Sequence, residues 1–309
     1  MASTNTVANT LGWVQAYCMG RSLTPFLNNE PGITCANLIL STIISPPFRW
    51  NWNRNSVKFL TSANVQDYVA AVSTFGWIEN ASFIPAATIT NVAGSGTVAT
   101  MTANNAFNVG DLVTITGLTN TAFNVTNATI LTATSTQFTF ASATSLASTA
   151  DSGTAVAGKA SQITNVVNLL GAEQGTAGGT PNSISPQVDD NAGNITFRIL
   201  PVPDGVYQVT VVFQKKIPAL ISATSSTWAP VPDQYAYIYE WGYLALLAAY
   251  SQDPRWTSFN QKFVTAILGA CEGLDEEERN VFQTAWLNSI TEQQVTSMRA
   301  QQGTQSRGV

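Results

Sequence analysis

Apolar residues recur at steps of three and four near both ends of the chain and at steps of two between them. Asn5 to Arg21 places Val7, Leu11, Val14 and Cys18 on one face, which predicts a helix over about 5–21. Ile33 to Ile44 predicts a second, over about 33–44, opened after Pro31-Gly32 and stopped by Pro46-Pro47. In the last third, Asp233 is a candidate cap for a helix over about 233–251. That segment has Ile238, Trp241 and Leu244 on one side, and Gly242, Ala245 and Ala249 form a small-residue strip where another helix can approach. A helix over about 257–271 carries Phe259, Phe263, Ala266, Ile267 and Ala270 on one face. After Gly273, a capping box from Asp275 to Glu278 opens a helix over about 275–300, expected to bury Val281, Phe282, Ala285, Trp286 and Ile290.

Between these ends the period is two. Phe48, Trp50 and Trp52 alternate with Arg49, Asn51 and Asn53, which predicts a strand, a turn at Asn53-Arg54-Asn55-Ser56 and a return over Val57 to Leu60. Tyr68 to Val72 and Gly76 to Phe83 are further strands. Ile163 to Leu170 is a strand or short helix, and Gly171 to Asn191 is a loop rich in Gly, Thr, Asn and Pro. Asn194 to Leu200 and Val206 to Gln214 are strands joined by Pro203-Asp204-Gly205, and they are expected to pair as a hairpin.

Residues 84–157 differ from the rest. They contain no Lys, Arg or Glu, only Asp111 and Asp151 as charges, and are dense in Thr. Short β runs at 88–92, 97–102, 112–116, 129–132 and 137–140 are punctuated by Gly94-Ser95-Gly96 and Gly117, a spacing typical of a small barrel or sandwich. The expected fold class is therefore α+β: a discontinuous helical bundle enclosing a β-sandwich-like domain, with an additional small all-β inserted domain. The host is residues 1–83 plus 158–309, its β part about 48–83 and 158–230, and the insertion is 84–157, tolerated because its ends lie close together.

Composition narrows the chemistry. The 309 residues include Lys+Arg 13, Asp+Glu 18 and no His, a formal charge of -5, and charged residues make up only 10%. The average soluble domain has roughly 25%. A surface built of neutral polar groups is cheap to cover with other subunits. Without His there is no Ser-His-Asp or Cys-His couple and no His-ligated zinc, so catalytic and metal sites of those kinds are excluded. The acidic balance argues against a free nucleic-acid binder. Cys18, Cys35 and Cys271 are odd in number and far apart, which reads as buried thiols in a reducing assembly compartment. The N-terminus shows no signal-peptide pattern, and the apolar stretch Gly242 to Tyr250 is too short to span a bilayer, so a soluble chain is expected. The sequons at Asn80, Asn124, Asn127 and Asn194 are accidents of composition.

The remaining motifs favour structural readings. Gly153 to Lys159 matches seven positions of a phosphate-binding loop, but Ala160 stands where a Ser or Thr is needed, so the segment reads as a linker leaving the insertion. Asp189, Asp190, Asp204 and Asp233 read as acids that end strands or cap helices, since nothing spaces them as a calcium loop. Asp275-Glu276-Glu277-Glu278 reads as a helix start favoured by the macrodipole. Arg49, Trp50, Trp52, Arg54 and Lys58 interleave cations with aromatics. A nucleic-acid groove is one reading, but the two types fall on opposite faces of a strand, which favours an aromatic core face and a solvent- or subunit-facing side.

The segment Ile195 to Val209, with Pro201-Val202-Pro203-Asp204-Gly205 at its centre, leads into Trp228-Ala229-Pro230-Val231-Pro232-Asp233, Tyr237 to Ala245 and Tyr250 to Arg255. Over roughly 1–83 and 158–309 the chain resembles the tailed-bacteriophage neck proteins of the adaptor, or head-to-tail connector, family. The resemblance implies a non-enzymatic virion protein without cofactors, assembled in the host cytoplasm. It would form a ring, as a dodecamer, at the head–tail junction, and contact the portal protein and the tail tube or nozzle. Genomic DNA would pass through without sequence-specific binding, and no membrane is involved. Such a family has no active-site residues to carry over. Arg49, Arg54 and Lys58 are interface candidates, as are Glu292, Val295, Met298, Arg299 and Arg307 in the polar, weakly amphipathic segment 292–309, the expected portal-docking element. The alternative is an exposed host-recognition or decoration protein using the 84–157 insertion. An enzyme acting on cell wall or DNA is a third class.

Overall fold

A computed structural model describes residues 3–17, 32–158, 161–162, 165–166, 178–217, 221–251, 253–271, 276–282 and 284. The chain divides into two units, residues up to 54 together with those from 215 onward, and residues 55–214.

The first unit is helical. Helix α1 (Val7–Tyr17) buries Val7, Thr10, Leu11 and Val14, and α2 (Gly32–Ile44) buries Cys35, Ala36, Ile39, Leu40, Ile43 and Ile44, both at helical spacing. Helix α3 (Ala236–Tyr250) touches α1, α2 and the fourth helix, α4 (Trp256–Ala270). Its apolar residues surround most of its circumference, which is why it takes the central place. Gly242 makes that place accessible. A Cβ there would lie 2.7 Å from Ile39 Cδ1 and 2.8 Å from the Phe263 ring. Ala249, by contrast, is exposed, so of the expected strip only Gly242 and Ala245 are buried. Residues 276–282 are helical, and Phe282 meets Phe48 edge-on at 4.7 Å. Val281 is 63% exposed, which corrects its expected burial. Asp275, Ala285, Trp286, Ile290 and Cys18 lie outside the described residues.

The second unit is β. Strands β1 (Arg54–Leu60), β15 (Tyr207–Lys215) and β3 (Phe75–Ser95) are neighbours, and β3 continues into β4 (Val98–Thr102), β7 (Gln137–Ala141), β6 (Ala128–Ala133), β5 (Leu112–Thr116) and β8 (Ser145–Ala157). Because β8 also pairs with β3, Ala86 opposite Val156 through Ser95 opposite Ser145, these six strands close into a barrel without free edges. Register shifts between Ile89 and Asn91 and between Val92 and Gly94 supply the extra curvature. The period-two residues Val113 and Ile115, Phe138 and Phe140 fill the interior with Ile89, Met101, Phe123 and Ile130. Each buried Phe contributes about 1.5–3 kcal/mol of hydrophobic stabilisation.

A second sheet runs β10 (Asn165–Val166), β12 (Ser183–Asp189), β13 (Asn194–Leu200), β2 (Asp67–Ala71). Across it, Arg198 opposes Asp67 and makes a bidentate ion pair, 2.8 Å to each oxygen. Two short pairings complete the unit, β9 (Ser161–Gln162) on β3, and β11 (Gly178–Gly179) on β14 (Val202–Pro203).

These observations correct the expected fold class. Strands dominate and six of them form a closed barrel, so the chain is not a helical bundle enclosing a sandwich. The expected strand at 48–53 is also corrected. Phe48 and Trp50 are buried in the helical core, Trp50 Nε1 donates to the Ile43 carbonyl at 2.6 Å, and Asn51–Asn53 form a 3₁₀ turn. The expected hairpin of 194–200 with 206–214 does not form. Strand β13 pairs with β12 and β2, and β15 pairs with β1 and β3, because Ile195, Phe197 and Ile199 share one core with Val209, Val211 and Phe213. The expected loop 171–191 contains β12, and the expected linker from Gly153 is the end of β8, with Gly158 N donating to Leu112 O.

Candidate functional site

The helical unit presents a groove of about 420 Å³ between α3 and α4. Tyr237 and Trp241, one turn apart on α3, form one wall, and Ser258, Lys262, Thr265 and Ala266 on α4 form the other. Lys262 Nζ stands 4.2 Å above the Trp241 ring centroid and donates to the Tyr17 hydroxyl at 3.4 Å. Trp13 and Tyr17 from α1 pack edge-on to Trp241 at 5.5 and 5.4 Å, and Tyr17 also meets Phe259 at 5.7 Å. This cluster is a rigid aromatic platform with a cation on its rim.

The N-terminal segment is held by Asp233. Ser3 Oγ and Thr4 Oγ1 each donate to its carboxylate at 2.6 Å, and the Thr4 and Asn5 amides donate at 3.0–3.2 Å. Tyr235, not Asp233, stands at the N-cap of α3, so the expected cap is instead a clamp on the chain's first residues. These hydrogen bonds, the Ser3 hydroxyl foremost, hold the Asp233 carboxyl below the usual carboxylate range. A depressed pKa means the contact is complete above about pH 4 and is lost as pH falls through the lower folded value. Asp233→Ala is therefore expected to cut the exchange protection of the Thr4 and Asn5 amides about tenfold or more at pH 7. The wild type should lose that protection only in acid. Protection factors from hydrogen exchange check this, and an unchanged N-terminal peptide would refute the clamp.

The other loop acids serve turns. Asp190 accepts from the Ala192 and Asn194 amides at 2.7 and 2.9 Å, and Asp204 accepts from the buried Tyr207 hydroxyl at 2.6 Å. Burial first, and then the Asp204 carboxylate, push the Tyr207 hydroxyl up to about 12. Among the described residues no three His, Cys, Asp or Glu side chains gather into a metal-binding group. On the barrel, Thr88, Thr90, Thr102, Asn104 and Thr136 line a shallow hydroxyl-rich hollow without a charged group.

The interface candidates disperse. Arg49 pairs with Glu278 at 2.9 Å, and its carbonyl accepts from Cys271 Sγ. Arg54 and Lys58 are on β1, which ends its sheet. Glu292, Val295, Met298, Arg299 and Arg307 lie outside the described residues. Sequence reasoning did not single out the α3/α4 groove. Its signal was present in the one-turn spacing of Tyr237 and Trp241, but helical periodicity alone assigns Trp241 to the core.

No helix among the described residues is long and apolar enough to cross a membrane. No curated protein matches the chain. A family match extends over residues 86–287, which leaves out the first 85 residues and runs across the barrel strands to beyond α4. It differs in extent from the 1–83 and 158–309 over which the resemblance is read. Covering more than half of the chain, it makes this protein a member of the SU10 adaptor protein family, structural adaptor proteins of bacteriophage and components of the virion.

Proposed function

We propose that the chain is a non-enzymatic subunit of a closed ring, a dodecamer, at the head–tail junction. It sits in the neck between the portal protein and the tail tube or nozzle, encircles the DNA exit channel, and is assembled in the host cytoplasm. The observation that carries this reading is the adaptor-family match over 86–287. Two features support it. The neutral surface of residues 84–157 costs little to cover with neighbouring subunits, and the net charge of -5 suits a wall past which DNA moves without adhering. In the same proposal 84–157 is an insertion in a host of 1–83 and 158–309, since Ala86 opposes Val156 and the two ends lie side by side.

Electron microscopy of the purified protein, alone and with portal, tests the reading. Rings with a central hole are expected, and truncation after Ile290 is expected to abolish docking onto portal. A protein that stays monomeric with and without portal would overturn it.

A further inference from the structure

We propose that the α3/α4 groove of one copy receives the exposed face of the helix at 276–282 of a second copy. This rests on the ring reading and names the surfaces that would build it. The helix is oriented by its inward side, where Glu278 pairs with Arg49 at 2.9 Å and Phe282 packs on Phe48. Its other side presents Glu277 and Val281, followed by Thr284, at steps of four and three, all exposed, with Val281 at 63%. An exposed branched apolar side chain one turn from a carboxylate is a knob with a charge beside it.

The groove has the complementary pattern. Lys262 is exposed on its rim, and none of the ion pairs among the described residues involves it. One turn along α4 in either direction the lining residues are small, Ser258 before Lys262 and Ala266 after it. The same one-turn rise separates Glu277 from Val281. With Glu277 at Lys262, Val281 falls over Ala266 or over Ser258, according to helix direction, against the apolar wall of Tyr237 and Trp241. Glu276, also exposed, adds a second negative charge near the same cation. Knob and groove are different patches of one chain, so the contact is head-to-tail, the type that generates rings.

The test is a charge exchange in the full chain. Lys262→Glu and Glu277→Lys, each alone, put like charges together and are expected to raise the concentration needed for rings about tenfold or more, read by mass photometry and microscopy. An equimolar mixture of the two variants is expected to restore rings, since in an alternating ring every groove meets a helix of opposite charge. A chain carrying both substitutions is expected to assemble fully, because every contact then pairs opposite charges again. Val281→Ser, with unchanged circular dichroism, is expected to weaken assembly too. If both single variants assemble like the wild type, the ring reading stands and this interface is wrong. If the doubly substituted chain assembles no better than either single variant, the two residues do not meet, which also overturns the proposal. A wild type that never forms rings would sink the ring reading itself.

Discussion

Replacing Trp228 with alanine is expected to destabilise the helical unit by about 3–5 kcal/mol, the usual cost of truncating a fully buried Trp. Trp228 has no exposed surface. Its indole stacks on Tyr239 at 4.5 Å with planes 8° apart, and stands edge-on to Tyr243 at 5.7 Å. Its Nε1–H donates to Thr10 Oγ1 at 2.8 Å, and its backbone N–H donates to Asn5 O at 3.1 Å. One side chain therefore ties α1 and α3 to the segment before Asp233. Alanine leaves a cavity between two tyrosines and deprives the buried Thr10 hydroxyl of a partner. Urea unfolding followed by far-ultraviolet circular dichroism checks the size of the loss. A midpoint equal to the wild type's would show that this segment does not organise the helices.

Gly94→Ala is expected to cost the barrel about 1–3 kcal/mol, and Gly94→Val more. A Cβ at residue 94 would lie 2.2 Å from the Thr144 carbonyl oxygen and 3.1 Å from the Phe123 ring. The obstacle at 2.2 Å is backbone, which no rotamer change relieves. Gly94 also sits where β3 serves β4 and β8 at once, opposite Ala99 and Leu146. Relief of the clash therefore requires the closing pair to part. Gly153 is similar, since a Cβ there would lie 2.9 Å from Thr116 O and 2.7 Å from Leu118 Cδ2. Exchange protection of β3, β4 and β8 amides is expected to fall in Gly94→Ala while that of α3 and α4 is retained. Full protection in the barrel strands would mean that the closure tolerates a methyl group.

How much of this architecture the residues disclosed depends on whether a signal was local. Val7, Leu11 and Val14 mark α1 because a helix buries every third or fourth residue whatever it packs against. Leu112–Thr116 and Gln137–Ala141 are visible because inward Val113, Ile115, Phe138 and Phe140 alternate with outward residues, half of them Thr. The strand Ser145–Ala157 left no such trace. Its first half is largely exposed and Ala- and Ser-rich, and it is a strand because β3 and β5 supply its hydrogen bonds. Phe48 and Trp50 misled in the opposite sense, since alternation over a few residues also arises where an irregular segment drops two rings into a helical core. The α3/α4 groove was hidden because it depends on how α4 packs along α3, which sets Lys262 over Trp241.

The amino-acid order by itself determined the amphipathic helices at the two ends, the charge-poor β-rich stretch at 84–157 and, through the absence of histidine, the exclusion of whole classes of chemistry. These follow from residue type and near-neighbour spacing. The tertiary structure alone decided that β3 pairs with β15 as well as with β4 and β8, that β8 closes the barrel, that β13 and β15 join different sheets, and that Asp233 grips the first residues instead of capping a helix. Strand pairing and carboxylate contacts between residues far apart in the chain are long-range choices, set by which apolar faces can be buried together and which backbone groups would otherwise go unpaired.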